Sequence, residues 1–238
     1  MKTKDKLLYL AKLNFRKFGY KKMSTRFLAE EADMTTGAIY GIFKSKEGLF
    51  STIVEKPVNQ IIEIVEKGAE IDLETTKENV FEKLEKHFTK LTEDILHVIF
   101  NNFEETILVF FYSKGSKYED LSKYIMNAMF RRELSLYEKF VGPADAVMRI
   151  LIENLTRSFV YSILTVLEGP LTDKNFEDYI YKLTKLHIES LKLLFGPLSK
   201  KENHLKNPGE KYFVKESDFN NRDKNETRDV LEIEEMNK

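Results

Sequence analysis

The sequence contains no cysteine, and this absence rules out two kinds of site. A chain without thiols forms no disulfide bond and no thiolate metal site, and it suits a reducing cytosol. No apolar run approaches the roughly 18 residues of a membrane span. The N-terminal run Leu7–Ala11 stops at Lys12, which is too short for a signal peptide. We therefore expect a cytoplasmic protein with no membrane association.

Signals of catalysis are missing as well. The four histidines are scattered, and no pair has the spacing of metal ligands on one face of a helix. The sequence has neither a phosphate-binding loop of the GxxxxGK type nor the glycine pattern of a dinucleotide-binding fold. We therefore predict that the protein is not an enzyme and that it uses no metal or other cofactor.

Helical periodicity is present through most of the chain. Apolar residues recur at three- and four-residue spacing, and strand-like alternation is absent. The pattern predicts an all-α protein of about nine helices. Their expected spans are residues 3–18, 24–32, 35–43, 45–68, 77–97, 98–112, 117–140, 144–168 and 173–196. Pro57 lies inside the fourth span and predicts a kink there, because proline removes a backbone hydrogen bond.

The second and third spans are short and closely spaced. Ser24 and Thr35 stand where their hydroxyls can accept hydrogen bonds from the free amides of a first helical turn. Asp33 and Met34 form a tight turn between the two helices. The apolar residues expected to face inward are Phe27, Leu28, Ala32, Ile39, Ile42 and Phe43. This is the helix-turn-helix arrangement, whose second helix lies in the major groove of DNA.

Charge is distributed unevenly, although the net charge of the chain is only -1. Residues 1–48 contain eleven Lys or Arg and five Asp or Glu, so they carry +6 and the rest of the chain carries -7. A basic N-terminal part on an acidic body fits a protein that contacts phosphates at one end. A solvated, lysine-rich helix surface would give the same distribution.

The segment FGYKKMSTRFLAEEADMTTGAIYGIFKSKEGLF resembles the N-terminal DNA-binding domain of the TetR family of bacterial transcriptional regulators. The resemblance covers about residues 5–55 without gaps. The matching elements are Phe18-Gly19-Tyr20, Ala29–Ala32, Thr35 with Gly37, Ile39-Tyr40, Phe43, and Lys44–Glu47 followed by Leu49. It implies a DNA-binding domain at residues 1–48 and a helical ligand-binding and dimerisation domain at 49–198. Residues 199–238 are polar and are expected to form a mobile tail.

The resemblance also implies which residues contact DNA. These are Ser24, Thr25, Arg26, Thr35, Thr36, Gly37, Ala38, Tyr40, Lys44 and Lys46. Tyr40 and Lys46 match positions that bind phosphates. Arg26 contacts either the backbone or the edge of a guanine, whose O6 and N7 acceptors fit a guanidinium. Gly41 departs from the family, which often has a larger polar residue there, and Asp33 stands where glycine is usual.

Two further sites are implied in the helical body. The ligand cavity of the family suggests a lining of aromatic residues and hence an apolar or aromatic effector: Phe100, Phe103, Phe110, Phe111, Phe130, Tyr137 and Phe159. Each of these could instead be an ordinary core residue. Glu104 or Glu105, if buried, could pair with a cationic ligand. The last two helices form the dimer interface of the family, with Leu151, Leu155, Ser158, Ser162, Leu183 and Leu191 as candidate contacts.

Together these features predict a homodimeric, sequence-specific DNA-binding transcriptional regulator. In this interpretation it is a ligand-responsive repressor that a small apolar or aromatic molecule releases from its operator. Two alternatives are open. The first is a DNA-binding protein of the same fold without a small-molecule inducer, regulated by a protein or acting architecturally. The second is a sequestering protein whose DNA-binding end has lost its function.

Overall fold

A computed structural model describes residues 3–69, 79–169 and 175–196 of the chain. These residues form nine α-helices, one short 3-10 helix and no strand, which confirms the predicted all-α fold. The helices are α1 (Thr3–Lys22), α2 (Thr25–Ala32), α3 (Thr36–Phe43), α4 (Lys46–Ala69), α5 (Val80–Asn101), α6 (Phe103–Tyr112), α7 (Leu121–Phe140), α8 (Ala146–Leu164) and α9 (Phe176–Phe195), with the 3-10 helix at Thr165–Leu167. The tail predicted at 199–238 lies outside the described residues.

The N-terminal helices pack around α4. The backbone of α1 leaves helical geometry at Gly19, with φ 71° and ψ 162°, so the regular helix ends at Phe18 as predicted. Leu7, Ala11 and Phe15 of α1 are fully buried. α4 contacts α1 and α3 and also α5, α6 and α7 of the body. It continues as one helix through Pro57.

An aromatic cluster joins the N-terminal helices to the body. The ring of Phe50 on α4 lies edge-on to Phe15 at 4.8 Å and to Tyr20 at 5.2 Å, and it contacts Tyr118 at 6.0 Å between ring centroids. Each such pair contributes about 0.5–1.5 kcal/mol beyond its buried area. The N-terminal helices are therefore held directly against the body, and the domain boundary predicted after residue 48 stays a prediction.

The body consists of helices that pack in pairs. α5 packs against α9 and α4, and α7 packs against α8. Their shared core is apolar, with fully buried residues such as Phe88, Leu96 and Ile152. These helices enclose a small set of polar side chains, described below.

Two expectations about exposure and one about membrane crossing need correction. Phe27 and Ile42 were expected to face inward, but each is 42% exposed, because two-turn helices bury only a narrow face: Leu28, Ala29 and Ala32 on α2, and Ile39 and Phe43 on α3. The third expectation was that no segment is long and apolar enough to span a membrane. By length and composition alone, the helical stretch Ala146–Leu167 meets this criterion, so the expectation was too strong. Here that stretch packs against α7 and α9.

The junction between α3 and α4 generates a prediction about two glycines. A Cβ added at Gly48 would lie 2.0 Å from the carbonyl oxygen of Phe43, whereas one added at Gly41 would meet nothing within 4 Å. Gly48→Ala should therefore destabilise the protein by about 1–3 kcal/mol, since the backbone must move. The control, Gly41→Ala, should stabilise it by about 0.5–1 kcal/mol through helix propensity. Urea denaturation at a fixed protein concentration measures both, and equal effects of the two variants would contradict this packing.

Candidate DNA-binding and effector sites

The turn between α2 and α3 has the local geometry that the sequence predicts. The Phe27 amide donates to Ser24 Oγ at 3.3 Å, and the Ala38 amide donates to Thr35 Oγ1 at 3.1 Å, so both hydroxyls cap their helices. Asp33 adopts the left-handed conformation, with φ 56° and ψ 46°. Asp tolerates this conformation better than most residues, which explains how the turn forms without glycine.

The residues predicted to contact DNA all lie at the protein surface. Seven are exposed (Ser24, Arg26, Thr35, Gly37, Ala38, Tyr40 and Lys44), and three are half-buried (Thr25, Thr36 and Lys46). The N-terminal half of α3 presents only small side chains, which allow the helix to approach a DNA groove closely. These placements are compatible with the predicted contacts, which remain predictions.

Tyr40 links the two helices of the motif. Its hydroxyl lies 2.9 Å from Thr25 Oγ1, and its ring is 39% exposed. A tyrosine hydroxyl can both donate and accept a hydrogen bond. The bond to Thr25 therefore holds the Tyr40 hydroxyl at the surface without using all of its hydrogen-bonding capacity.

Lys46 is held at the start of α4 by two contacts. Its ammonium donates to the carbonyl oxygen of Lys21 at 3.2 Å and lies 4.7 Å from the centre of the Tyr20 ring. Partial burial lowers the pKa of Lys46. The neighbouring Tyr20 hydroxyl donates to Glu47 Oε2 at 2.7 Å. A lysine ammonium has three donors, so Lys46 keeps donors for a phosphate while its position is fixed.

Ion pairs connect α1 to α6. Arg16 Nη1 donates to both carboxylate oxygens of Glu104, at 2.8 and 3.0 Å, and Lys12 pairs with Glu105. Both glutamates thus have protein partners, which argues against the idea that they bind a cationic ligand. Such partly exposed pairs contribute about 0–1 kcal/mol each. They add a connection between α1 and the body at α6.

A cavity of about 420 Å³ lies between α4 and α5. Its lining residues are Gln60, Glu63, Ile64, Lys67 and Gly68 on α4, and His87, Lys90, Leu91, Asp94 and Val98 on α5. Within the part of the chain that the structure describes, none of the seven aromatic residues predicted to bind an effector lines this cavity. Because α4 also contacts the DNA-binding helices, a ligand in this cavity would touch the helix that joins the two parts of the protein.

The predicted aromatic residues lie in separate contacts. Phe159 is buried and stacks on His187, with ring centroids 4.3 Å apart. Tyr137 is buried edge-on to Phe195 at 5.4 Å. Phe100 is partly exposed against Phe176 at 5.4 Å, and the others, Phe103, Phe110, Phe111 and Phe130, are half-buried or partly exposed. Their role in ligand binding stays a prediction.

A buried polar cluster on α7 and α9 is a feature that the sequence analysis missed. Glu133 is fully buried and accepts hydrogen bonds from Thr156 Oγ1 at 2.7 Å and from His187 Nε2 at 3.1 Å. Beside it, Arg132 Nη1 donates to the Gly68 carbonyl oxygen at 2.8 Å and contacts His87 Nε2 at 2.7 Å. The signal was available, because Arg132 follows buried Met129 by three residues and so falls on the apolar face of α7.

The cluster changes the ionisation of two of its members. Burial and the positive charge of Arg132 lower the pKa of His87 to about 4. Burial also lowers the pKa of Arg132 to about 10, so the guanidinium stays protonated at neutral pH. His87 is therefore neutral at that pH. Since arginine can only donate, His87 Nε2 accepts the hydrogen bond.

The residues predicted to form the dimer interface divide into two groups. Leu151 and Ser158 are exposed and Leu155 and Ser162 are half-buried, whereas Leu183 and Leu191 are buried inside the protomer. The helices also expose apolar side chains that the prediction omitted: Val147, Ile150 and Tyr161 on α8, and Tyr181, Leu186 and Leu193 on α9. Val147, Ile150, Leu151, Ser158 and Tyr161 share one face of α8 by their helical spacing.

The comparison with known families decides the nature of the N-terminal part. Residues 10–53 match the model of the family described as bacterial regulatory proteins, tetR family. The N-terminal domain is a TetR-family DNA-binding domain. The match confirms the resemblance seen in the sequence. Because TetR-family proteins are transcription regulators, it also confirms the expectation that the chain is not an enzyme.

Solved structures of TetR-family proteins resemble the chain at low sequence identity. A member of the family from Streptomyces coelicolor is 16% identical, with 82% of this chain and 91% of that chain covered and a TM-score of 0.48. A TerR/AcrR-family regulator from Aquifex aeolicus is 22% identical, with 81% and 99% covered and a TM-score of 0.46. The family assignment rests on the match over residues 10–53, not on these likenesses.

The low pKa of His87 predicts a specific pH dependence of stability. An unfolded histidine titrates near pH 6.5 and folded His87 near pH 4, so the unfolded chain binds more protons between these values. The free energy of unfolding should therefore fall as the pH falls through this window. His87→Gln keeps an acceptor for Arg132 but cannot titrate. The free energy of unfolding should therefore fall more steeply with falling pH in the wild type than in His87→Gln, by at most about 1.4 kcal/mol per pH unit.

Urea denaturation across this pH range measures the difference. His97→Gln, which removes an exposed histidine from the same helix, controls for the loss of an imidazole. Parallel pH profiles of the wild type and His87→Gln would contradict the assignment of a neutral, half-buried His87 beside Arg132.

Proposed function

We propose that the protein is a cytoplasmic, homodimeric transcriptional repressor whose α3 binds operator DNA and whose helical body binds an effector that lowers this affinity. The observation that carries the proposal is the exposed N-terminal half of α3, fixed by the Thr35 cap and the Tyr40–Thr25 hydrogen bond. A recognition helix contacts base edges with its N-terminal residues, and here those residues are at the surface.

Electrostatics supports DNA as the partner. Residues 1–48 carry +6 and include the exposed cations Arg26 and Lys44. Phosphate contacts supply sequence-independent affinity, and base contacts supply specificity. In the proposed complex Lys46 and Tyr40 bind phosphates and fix the register of α3. Residues Thr36 to Ala38 then face the bases.

A homodimer follows from the size of the recognition helix. α3 has only eight residues, and a single short helix reads few base pairs, so two-fold pairing is needed for a specific operator. The exposed apolar residues of α8 and α9 supply a surface for it. Leu186 is 68% exposed and Leu193 is 80% exposed in the protomer, so these side chains gain most from burial by a second copy.

An effector can act through α4. The helix runs from the DNA-binding domain to the cavity between α4 and α5, so a ligand there contacts the connecting element directly. Such a ligand shifts DNA binding only as far as it prefers one arrangement of α4 over another. The alternative function, a DNA-binding protein of this fold without a small-molecule inducer, is favoured by one observation: Phe159 and Tyr137 are packed into the core.

The assignment of Lys46 predicts a change in the salt dependence of DNA binding. Lys46→Met keeps an apolar side chain over Tyr20 but removes the charge. Its affinity for any duplex should fall, and the slope of log K against log salt should shrink by about one unit, because one phosphate contact is lost. Fluorescence anisotropy on a non-specific duplex at several salt concentrations measures the slope.

The matched control is Lys123→Met, which removes a charge from the exposed surface of α7 and should leave the slope unchanged. Equal slopes for the wild type and both variants would show that Lys46 does not contact a DNA phosphate.

The proposed dimer predicts that Leu186→Glu produces a monomer. The side chain is mostly exposed in the protomer, so the substitution should leave the protomer folded while placing two charges in the interface. Sedimentation velocity measures the mass, and circular dichroism checks the helix content. Val141→Glu, at an exposed apolar residue after α7, is the control and should remain a dimer. A dimeric Leu186→Glu variant would place the interface elsewhere.

A further inference from the structure

We propose that Arg132 is the binding site for a carboxylate, and that the effector entering the cavity between α4 and α5 is therefore a small organic acid. This inference rests on the proposed ligand-responsive function and adds the chemical class of the ligand. It also replaces the purely apolar effector expected from the aromatic content of the sequence with one that carries a single negative charge.

The first argument is that Arg132 is buried with three of its five N–H donors unused. The residue is 8% exposed, and its Nη1 makes both of its hydrogen bonds, to the Gly68 carbonyl oxygen and to His87 Nε2. Nε and Nη2 are buried and have no hydrogen-bond partner among the described residues. Buried donors of a charged group carry a large desolvation cost when they are left unpaired. A ligand that occupies them removes that cost.

The second argument is the geometry of the two free nitrogens. Nε and Nη2 lie on the same edge of a guanidinium, and their N–H groups point in parallel. This edge matches the two oxygens of a carboxylate and forms the bidentate pair for which arginine is suited. The opposite nitrogen, Nη1, is fixed by its two bonds, and the guanidinium carbon lies 4.7 Å from the centre of the Phe88 ring. The Gly68 carbonyl and the Phe88 ring thus hold the guanidinium in place even when His87 moves.

The third argument is that no carboxylate of the described residues is hydrogen-bonded to Arg132. Glu133 is adjacent in sequence and fully buried, but its oxygens accept from Thr156 and His187. Over residues 3–69, 79–169 and 175–196, no carboxylate forms an ion pair with Arg132. Glu133 attracts the guanidinium electrostatically, but it leaves Nε and Nη2 without a hydrogen-bond partner. A negatively charged ligand would pair with these two nitrogens.

The fourth argument is access from the cavity. Gly68 and His87, the two residues that Arg132 contacts, both line it, so the guanidinium lies directly behind its wall. The wall is tightly packed at this point: a Cβ added at Gly68 would come within 2.9 Å of Leu91 Cδ1 and 3.1 Å of His87 Cε1. In this proposal a ligand from the cavity reaches the guanidinium by displacing the half-buried His87 side chain.

Surrounding groups indicate what the rest of the ligand is like. Phe88 contacts both Arg132 and His187, the latter at 4.6 Å between ring centroids. On α9, His187 Nδ1 and Thr184 Oγ1 are two more buried polar atoms without a partner in the described part of the chain. Because the Phe88 ring lies beside the guanidinium, we expect an acid with an aromatic or short aliphatic body.

The same contacts connect the site to α4. The Gly68 carbonyl belongs to the last turn of α4, where carbonyl groups lack partners inside the helix. Arg132 supplies one of these partners and so attaches the end of α4 to α7. In this proposal a carboxylate binds the other edge of the same guanidinium that makes this attachment. Ligand binding is thereby coupled to the helix that leads to the DNA-binding domain.

The test uses benzoate, phenylacetate and salicylate as probes, each paired with its uncharged amide, on the full-length protein. Isothermal titration calorimetry should show that at least one acid binds, and that its amide binds at least tenfold more weakly. Arg132→Met should weaken binding of the acid at least tenfold. Arg131→Met, at the exposed neighbouring arginine, should bind the acid as the wild type does.

A second measurement covers the case in which Arg132→Met does not fold. In proton–nitrogen spectra of the wild type, the Nε–H resonance that exchanges most slowly with water belongs to a buried arginine, and only Arg132 among the described arginines is buried. The acid should shift this resonance and the amide should not. The proposal is overturned if no acid in the panel binds, or if acids bind without moving this resonance.

The outcome also separates this proposal from the proposed function. Binding of an acid at Arg132 with no effect on DNA affinity would support the carboxylate site and contradict the proposed ligand-responsive function. DNA binding that responds to an uncharged molecule, with no binding of the acids, would support the ligand-responsive function and contradict the carboxylate site.

Discussion

The packing of α4 against both halves of the protein is the constraint on which the rest of the structure depends. Its N-terminal turn supports α1 and α3 through buried residues such as Leu49 and Phe50, and its later turns pack on α5, α6 and α7. Because one rigid helix belongs to both cores, the position of α3 cannot change independently of the body. The ion pairs between α1 and α6 add a second connection of the same kind.

The C-terminal end of α4 meets the polar interior of the body. There the apolar core gives way to Arg132, Glu133 and His187, which lie among the rings of Phe88 and Phe159. Well-packed apolar residues at these positions would often be equally stable or more stable. A buried cation with unused donors, placed at the end of the connecting helix, is better explained by recognition of a ligand than by folding.

The sequence predicted those features that depend on local chemistry. The caps at Ser24 and Thr35 and the turn at Asp33 follow from hydrogen bonds between near neighbours, so they could be located without a structure. The exposure of Phe27 and Ile42 could not be predicted in this way. The buried side of a two-turn helix depends on its packing against other helices, here α1 and α4. For Arg132 the sequence showed part of the answer: its spacing from Met129 placed it on the apolar face of α7, but its free donors become apparent only once Gly68 and His87 are known to lie beside it.

The measurement that tests the central claim most directly is a footprint on the DNA that flanks the gene of this protein. Specific binding by a dimer predicts a sharp complex that resists competitor DNA. It also predicts two protected half-sites related by two-fold symmetry, with centres about 10 base pairs, or a multiple of that, apart. Diffuse protection that disappears at moderate salt, on this DNA and on operator candidates selected from random sequence, would contradict a sequence-specific regulator.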